Sequence, residues 1–189
     1  MNFQKTHQSS SVLCHKPAAN SQLKINSRFF ILSLFILSLI LFLPTLAFAK
    51  EDKAKSLDDI LNLKAAPAGV VIEIVTWGGD NLEWALPRSK EYIEKLRAKF
   101  PKLSVAIVTH GAEQFALTND NKEDSKEVHK MVKSFGDANV PVHVCETFAG
   151  WRGLSSDDFP EYVNVAAAGP AQVNDYLSLG YELILIDEE

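Results

Sequence analysis

The chain has 189 residues, 47% of them hydrophobic, with 19 basic and 24 acidic side chains and two cysteines. A formal charge of −5 gives it no electrostatic reason to bind nucleic acid or anionic lipid, which select clustered Lys and Arg. Two cysteines are too few for a disulfide-built scaffold, and a chain of this length can bury a core of its own.

Residues 1–49 carry Lys5, Lys16, Lys24 and Arg28 and no acid. An apolar run from Phe29 to Leu43 comes next, Pro44 breaks it, and Ala47-Phe48-Ala49 has the small-x-small form of a cleavage site. This segment reads as a secretory signal peptide cut after Ala49, with export to the periplasm. At about 15 residues the run is short of the roughly 20 that span a bilayer. The alternative is an uncleaved membrane anchor, the one case in which the protein would touch a membrane. Without residues 1–49 there remain 15 basic and 24 acidic side chains, a formal charge of −9. Cys14 leaves with the signal, so the remaining thiol, Cys145, has no internal partner. It is either buried or chemically used.

Residues 50–69 read as a charged linker with a short amphipathic helix through Leu57, Ile60 and Leu61, ended by Pro67 and Gly69. The domain proper is expected over residues 70–189. Val70 to Thr76 is a β-branched run bounded by Trp77-Gly78-Gly79, a strand signal. Asp80 with Glu83 has capping-box spacing and opens a helix to about Phe100, with a kink or later start at Pro87. Leu103 to Thr109 is a second strand ending at His110-Gly111. After it come a short helical piece, Ala112 to Leu117, and a polar loop. The next helix is expected to be capped by Asp124 with Glu127 and stopped by Gly136. Val140 to Cys145 is the third strand and Tyr162 to Ala167 the fourth. Gly169-Pro170 starts a helix that Gly180 ends, and Tyr181 to Ile186 is the last strand. Strands apolar on both faces, alternating with helices, predict a three-layer α/β/α sandwich around a mainly parallel sheet of about five strands.

In such sheets ligand sites lie beyond the carboxyl ends of the strands. Three of those ends carry suggestive residues: Trp77-Gly78-Gly79-Asp80, His110-Gly111, and Cys145 with the helix start behind it. Gly78-Gly79 reads as a tight turn. His143 and Cys145 share one strand face, and with His110 they offer ligand types that suit zinc or copper. No CxxC or HxxxH pair supports that set, so neither a metal nor any other cofactor is expected. His143 reads as a packed or hydrogen-bonded residue. Glu73, a charge within the first strand, calls for a polar partner or an interface. Asp157 and Asp158 before Pro160 read as a solvated turn. Cys145 remains open at this point, between a small buried residue closing a strand and a nucleophile whose thiolate a helix start and Arg152 would favour.

From about Val70 to Ile186 the sequence resembles the DsrE/DsrF-like family, which includes TusD-type and YchN-type proteins. The resemblance rests on the strand ending His110-Gly111, the strand ending at Cys145, the Arg152-Gly153 step, and Gly180-Tyr181-Glu182-Leu183-Ile184 in the closing strand. The relay members have a cysteine before an Arg-Gly at this spacing and carry sulfur on it as a persulfide. The resemblance therefore implies a periplasmic sulfur carrier or sulfurtransferase-like protein with Cys145 as carrier. Arg152, His110, His143, Trp151 and Gly153 would serve the thiolate or the incoming sulfur. The implied partners are a sulfur donor or acceptor protein and further copies of the chain, as a trimer or hexamer, with Trp77, Trp84, Phe148 and Trp151 as interface candidates. Relay members have a small, alanine-rich helix between cysteine and arginine, where this chain has Glu146-Thr147-Phe148-Ala149-Gly150-Trp151. The alternative is a non-catalytic oligomeric module, binding a small ligand or a protein, with a buried Cys145.

Overall fold

A computed structural model describes residues 53–188. The proposed signal peptide, its cleavage site and Cys14 lie outside the described residues. The elements in chain order are α1 (Leu57–Leu61), β1 (Gly69–Val75), α2 (Leu82–Lys99), β2 (Val105–Thr109), a 3₁₀ turn (Ala112–Leu117), α3 (Lys126–Asp137), β3 (Val142–Cys145), α4 (Glu146–Gly150), a second 3₁₀ turn (Ser156–Asp158), β4 (Asn164–Ala166), α5 (Gly169–Ser178) and β5 (Tyr181–Asp187). The five strands form one parallel sheet in the order β4-β3-β2-β1-β5.

Alternation along the strands sends side chains to two faces. Val70, Ile72 and Ile74, with Val105, Ile107, Val142, Val144, Ile184 and Ile186, pack under α1, α2 and α3 in the main core. Val71, Val108 and Leu183 point the other way and pack under α5 with Val173, Tyr176 and Tyr181. Helices thus cover both faces of the sheet. α1 belongs to the first layer: Ser56 and Asp59 form a reciprocal capping box, and Ile60 is fully buried.

Three helix ends differ from the sequence expectation. Asn81, not Asp80, is the N-cap of α2, and its amide donates to Glu188 instead of capping the helix. The helix then passes through Pro87, which removes only the bond to the carbonyl of exposed Glu83, where water can substitute. At α3 the N-cap is Ser125, with no side-chain cap bond, because Asn121 to Ser125 already form a turn closed by Ser125 N–H to Asn121 O at 2.8 Å. Gly136 does not stop α3. Asn139 does, at φ 54°, with Asn139 N–H to Gly136 O at 2.9 Å and Val140 N–H to Phe135 O at 2.8 Å. These two bonds make a Schellman ending, in which asparagine is the common substitute for glycine.

The buried His129 ties α3 to the first 3₁₀ turn and to the segment before β4. Its Nε2 faces the carbonyl of Ala116 at 2.9 Å, so that nitrogen must carry the proton, and Nδ1 accepts from the Tyr162 hydroxyl at 2.6 Å. Burial lowers the pKa of His129, and burial likewise lowers that of His143. A histidine held neutral in the fold leaves the unfolded chain binding more protons around its ordinary value near ~6.5, so stability rises with pH through that window. Both contributions are complete above it and are lost as the pH falls. The thermal unfolding midpoint is therefore expected to be lower at about pH 5 than at about pH 7.5, with a shallower dependence in His129→Gln. A midpoint indifferent to acidification would contradict this.

Candidate functional site

β1, β2 and β3 end side by side, and the residues just past their ends build the site. Thr109 pairs with Val144 in the β2–β3 register, so the next residues, His110 and Cys145, sit level on adjacent strands, spaced about 4.8 Å in a sheet. Both belong to the face that α5 covers, because they alternate with Thr109 and Val144. α5 begins directly over this point: a Cβ on Gly169 would lie 2.4 Å from the Cβ of His110.

Cys145 closes β3 and is the N-cap of α4. Its Sγ accepts from Phe148 N–H at 3.4 Å, and its own N–H donates to Gln114 Oε1 at 2.7 Å. The residue is 4% exposed. Glu146, the next residue, is exposed, as expected where the chain turns from strand into helix. Gln114 is fully buried, and its Nε2 is the buried side-chain donor without a partner among the described residues. The amide cannot be turned round, since Cys145 N–H needs the oxygen.

His110 Nε2 lies 2.7 Å from Glu73 Oε1. A carboxylate only accepts, so Nε2 holds a proton, and in the neutral ring the lone pair is then on Nδ1. This pair answers the question raised by a charge within β1. Beneath it sits a second carboxylate, Glu113, fully buried in the 3₁₀ turn. It accepts from Thr76 N–H at 2.8 Å, Thr76 Oγ1 at 3.0 Å, Gly111 N–H at 2.9 Å and the Thr109 hydroxyl. Glu113 thereby staples the end of β1 to the end of β2 and fixes the turn that carries Gln114.

The other candidates fall around this centre. His143 is one pair down β3, on the same face, with its Nε2 2.9 Å from the Tyr176 hydroxyl on α5. Arg152 lies against the first 3₁₀ turn. Its guanidinium stacks over Phe115 at 4.8 Å from the ring centroid, at the mouth of a cleft of about 290 Å³ that Thr118, Asp120, Asn121 and Asp158 also line. Phe115 meets Phe148 at 5.5 Å and Phe148 meets Trp151 at 5.4 Å. Trp151 is 75% exposed and Trp77 73%. Gly153 has φ +76°, a left-handed turn after α4. Among the described residues no three of His, Cys, Asp and Glu converge as a metal site, and no helix is long and apolar enough to cross a membrane.

Sequence reasoning missed Glu113, Gln114 and Tyr176. The signal for the first two was present: two polar residues side by side in Ala112-Glu113-Gln114-Phe115-Ala116-Leu117, directly after a strand end, in a stretch otherwise apolar.

The sequence model of the DsrE/DsrF-like family matches residues 85–185, from within α2 to β5. The chain belongs to the DsrE/DsrF-like family. Among solved structures it is similar to a protein of unknown function, MTH1491, from Methanobacterium thermoautotrophicum, at 18% identity and a TM-score of 0.49, covering 62% of this chain and 99% of that one. It is also similar to the ychN protein of E. coli, at 16% identity and a TM-score of 0.49, covering 62% and 99%. A third, the conserved protein of unknown function BT1422 from Bacteroides thetaiotaomicron, has 14% identity and a TM-score of 0.44 over 61% and 94%. No curated protein matches the chain. A DsrE/DsrF-like domain here therefore means five parallel strands between helices, with a single described cysteine at the end of β3.

Proposed function

We propose that this DsrE/DsrF-like protein is an exported, periplasmic sulfur carrier that holds sulfane sulfur on Cys145 and exchanges it with a donor or acceptor protein. The observation that carries the reading is the placement of Cys145 at the C-terminal end of β3, where its sulfur caps α4. The thiolate is the form that attacks sulfur, and the Phe148 N–H is a donor it would accept from. The transfer itself conserves electrons. The thiolate attacks the outer sulfur of a donor persulfide, R–S–SH, and the donor S–S bond breaks. R–S⁻ then leaves and takes up a proton, and Cys145 becomes the persulfide. No external oxidant, metal or cofactor enters this balance.

One observation favours the other class of function: a thiol 4% exposed is what a core cysteine looks like. In that reading the protein is an oligomeric binding module and Cys145 only packs. The readings separate on access. A carrier must let a partner reach the sulfur, whereas a core cysteine need not. Folded protein incubated with polysulfide is expected to gain one sulfur at Cys145 by intact-mass and peptide mass spectrometry, and Cys145→Ala to gain none. A Cys145 that neither takes up sulfur nor alkylates until the protein unfolds leaves the packing reading standing.

A further inference from the structure

The carrier reading leaves one chemical need unassigned: something must take the proton of the Cys145 thiol and return it to the leaving sulfur. We propose that Glu73 and His110 do this, with His110 as the base and Glu73 as the residue that positions it; the inference rests on the carrier reading and deepens it.

Four observations converge. The β2–β3 register sets His110 level with Cys145, and alternation places both on the face under α5. The Glu73 carboxylate holds the proton of His110 on Nε2 at 2.7 Å, which leaves the basic lone pair on Nδ1. This is the general arrangement of a nucleophile, a base and a third group that orients the base. The absence of a Cβ at Gly169 lets α5 close over His110 and confines the ring. Finally, the unpartnered Nε2 of Gln114 belongs to the same planar amide whose oxygen binds the Cys145 N–H. A buried donor left unsatisfied is costly unless an acceptor completes it, and an outer sulfur, about 2 Å beyond Sγ, can accept.

The titratable groups around His110 are Glu73 on β1, Glu113 in the turn after β2, Cys145 and His143 on β3, and Tyr176 on α5. His143 is held toward its neutral form by burial, and no Lys or Arg among the described residues makes an ion pair with Glu73, so the carboxylate is left to His110. Glu73 also lines an open cleft of about 550 Å³ with Val75, Trp77, Leu185, Asp187 and Glu188. Atoms and electrons balance over the transfer. The Cys145 S–H proton passes to His110 Nδ1, directly or through one water, and the thiolate attacks the outer sulfur of R–S–SH. The donor S–S bond then breaks, and R–S⁻ takes the proton from His110. Glu73 keeps its proton count throughout.

The test uses the full protein with glutathione persulfide as donor and measures the rate of sulfur gain at Cys145 against pH. At pH about 7, Glu73→Gln and His110→Asn are each expected to slow uptake by about 10²-fold, within the range typical of general-base removal. The double variant is expected to be no slower than His110→Asn, because the two residues act as one unit. All three should approach the wild-type rate at pH about 10, where a free thiol near ~8.5 ionises by itself. A purely structural role for the pair would lower the rate at every pH alike, and that flat loss overturns the proposal. So does a wild-type rate in both single variants, which would leave the carrier reading intact. A wild-type protein that gains no sulfur overturns the carrier reading itself, and this inference with it.

Discussion

Replacing Glu113 by alanine is expected to destabilise the protein by about 2–6 kcal/mol and to lower its unfolding midpoint by roughly 10 °C or more. The side chain is fully buried and accepts four hydrogen bonds, two of them from the backbone N–H groups of Thr76 and Gly111. The two hydroxyls can turn to other acceptors, but the two N–H groups cannot. Each buried donor left without a partner costs about 1–3 kcal/mol, and the cavity left by the side chain adds to this. Set against the roughly 5–15 kcal/mol that holds a typical domain together, the loss is large. Glu113→Gln should cost less, about 1–3 kcal/mol, because only one of the two oxygens is exchanged for a donor. Chemical denaturation of the three proteins checks both the size and the order, and an alanine variant as stable as the wild type would show that water replaces the carboxylate.

Gly111→Ala is expected to cost about 3 kcal/mol, at the upper end of overpacking effects. The reason is space alone. Gly111 has φ −95° and ψ −163°, an extended conformation open to any residue. A Cβ there would sit 2.2 Å from the Thr76 carbonyl oxygen, 2.7 Å from Thr76 N and 2.2 Å from Glu113 Oε2. Two of those three atoms are backbone, held in place by the Ala112 N–H to Thr76 O bond at 2.8 Å and by Glu113 itself. The ends of β1 and β2 must part, which moves His110 relative to Glu73. The substitution is thus expected to lower both the unfolding midpoint and the rate of sulfur uptake. A variant that loses uptake while keeping its midpoint, or keeps both, would contradict the steric account.

These two residues explain why the site is rigid where it needs to be. Glu113 and Gly111 clamp β1 to β2, the clamp fixes the 3₁₀ turn, and the turn delivers Gln114 to the backbone of Cys145. Cys145 closes β3 and caps the five-residue α4, with exposed Trp151 at its end.

The five strands and the long helices were legible in the sequence because each is written locally: a β-branched run, a 3.6-residue repeat, a glycine or proline at a boundary. Gly169-Pro170 and Gly180 marked the ends of α5 for that reason, and the turn Ala112–Leu117 was expected over the residues where it stands. Cys145 could be placed at a strand end for the same reason. Helix caps were less legible. Capping residues read off spacing at Asp80 and Asp124 lost to Asn81 and Ser125, because contacts with Glu188 and with the preceding turn decided the backbone there. The site lay beyond local reading altogether. Glu73 meets His110 across 37 residues, Glu113 meets Thr76 across 37, and Gln114 meets Cys145 across 31. Such pairs exist only once three parallel strands have taken a particular register, and a shift of one residue along β1 would turn Glu73 to the opposite face. The sequence by itself determined which elements form and where the cysteine stands among them. Tertiary structure decided what stands at that strand end: it set Arg152 over Phe115, paired Glu73 with His110 and put Gln114 on the Cys145 backbone, because sheet register and close packing, not proximity along the chain, choose the neighbours of a strand end.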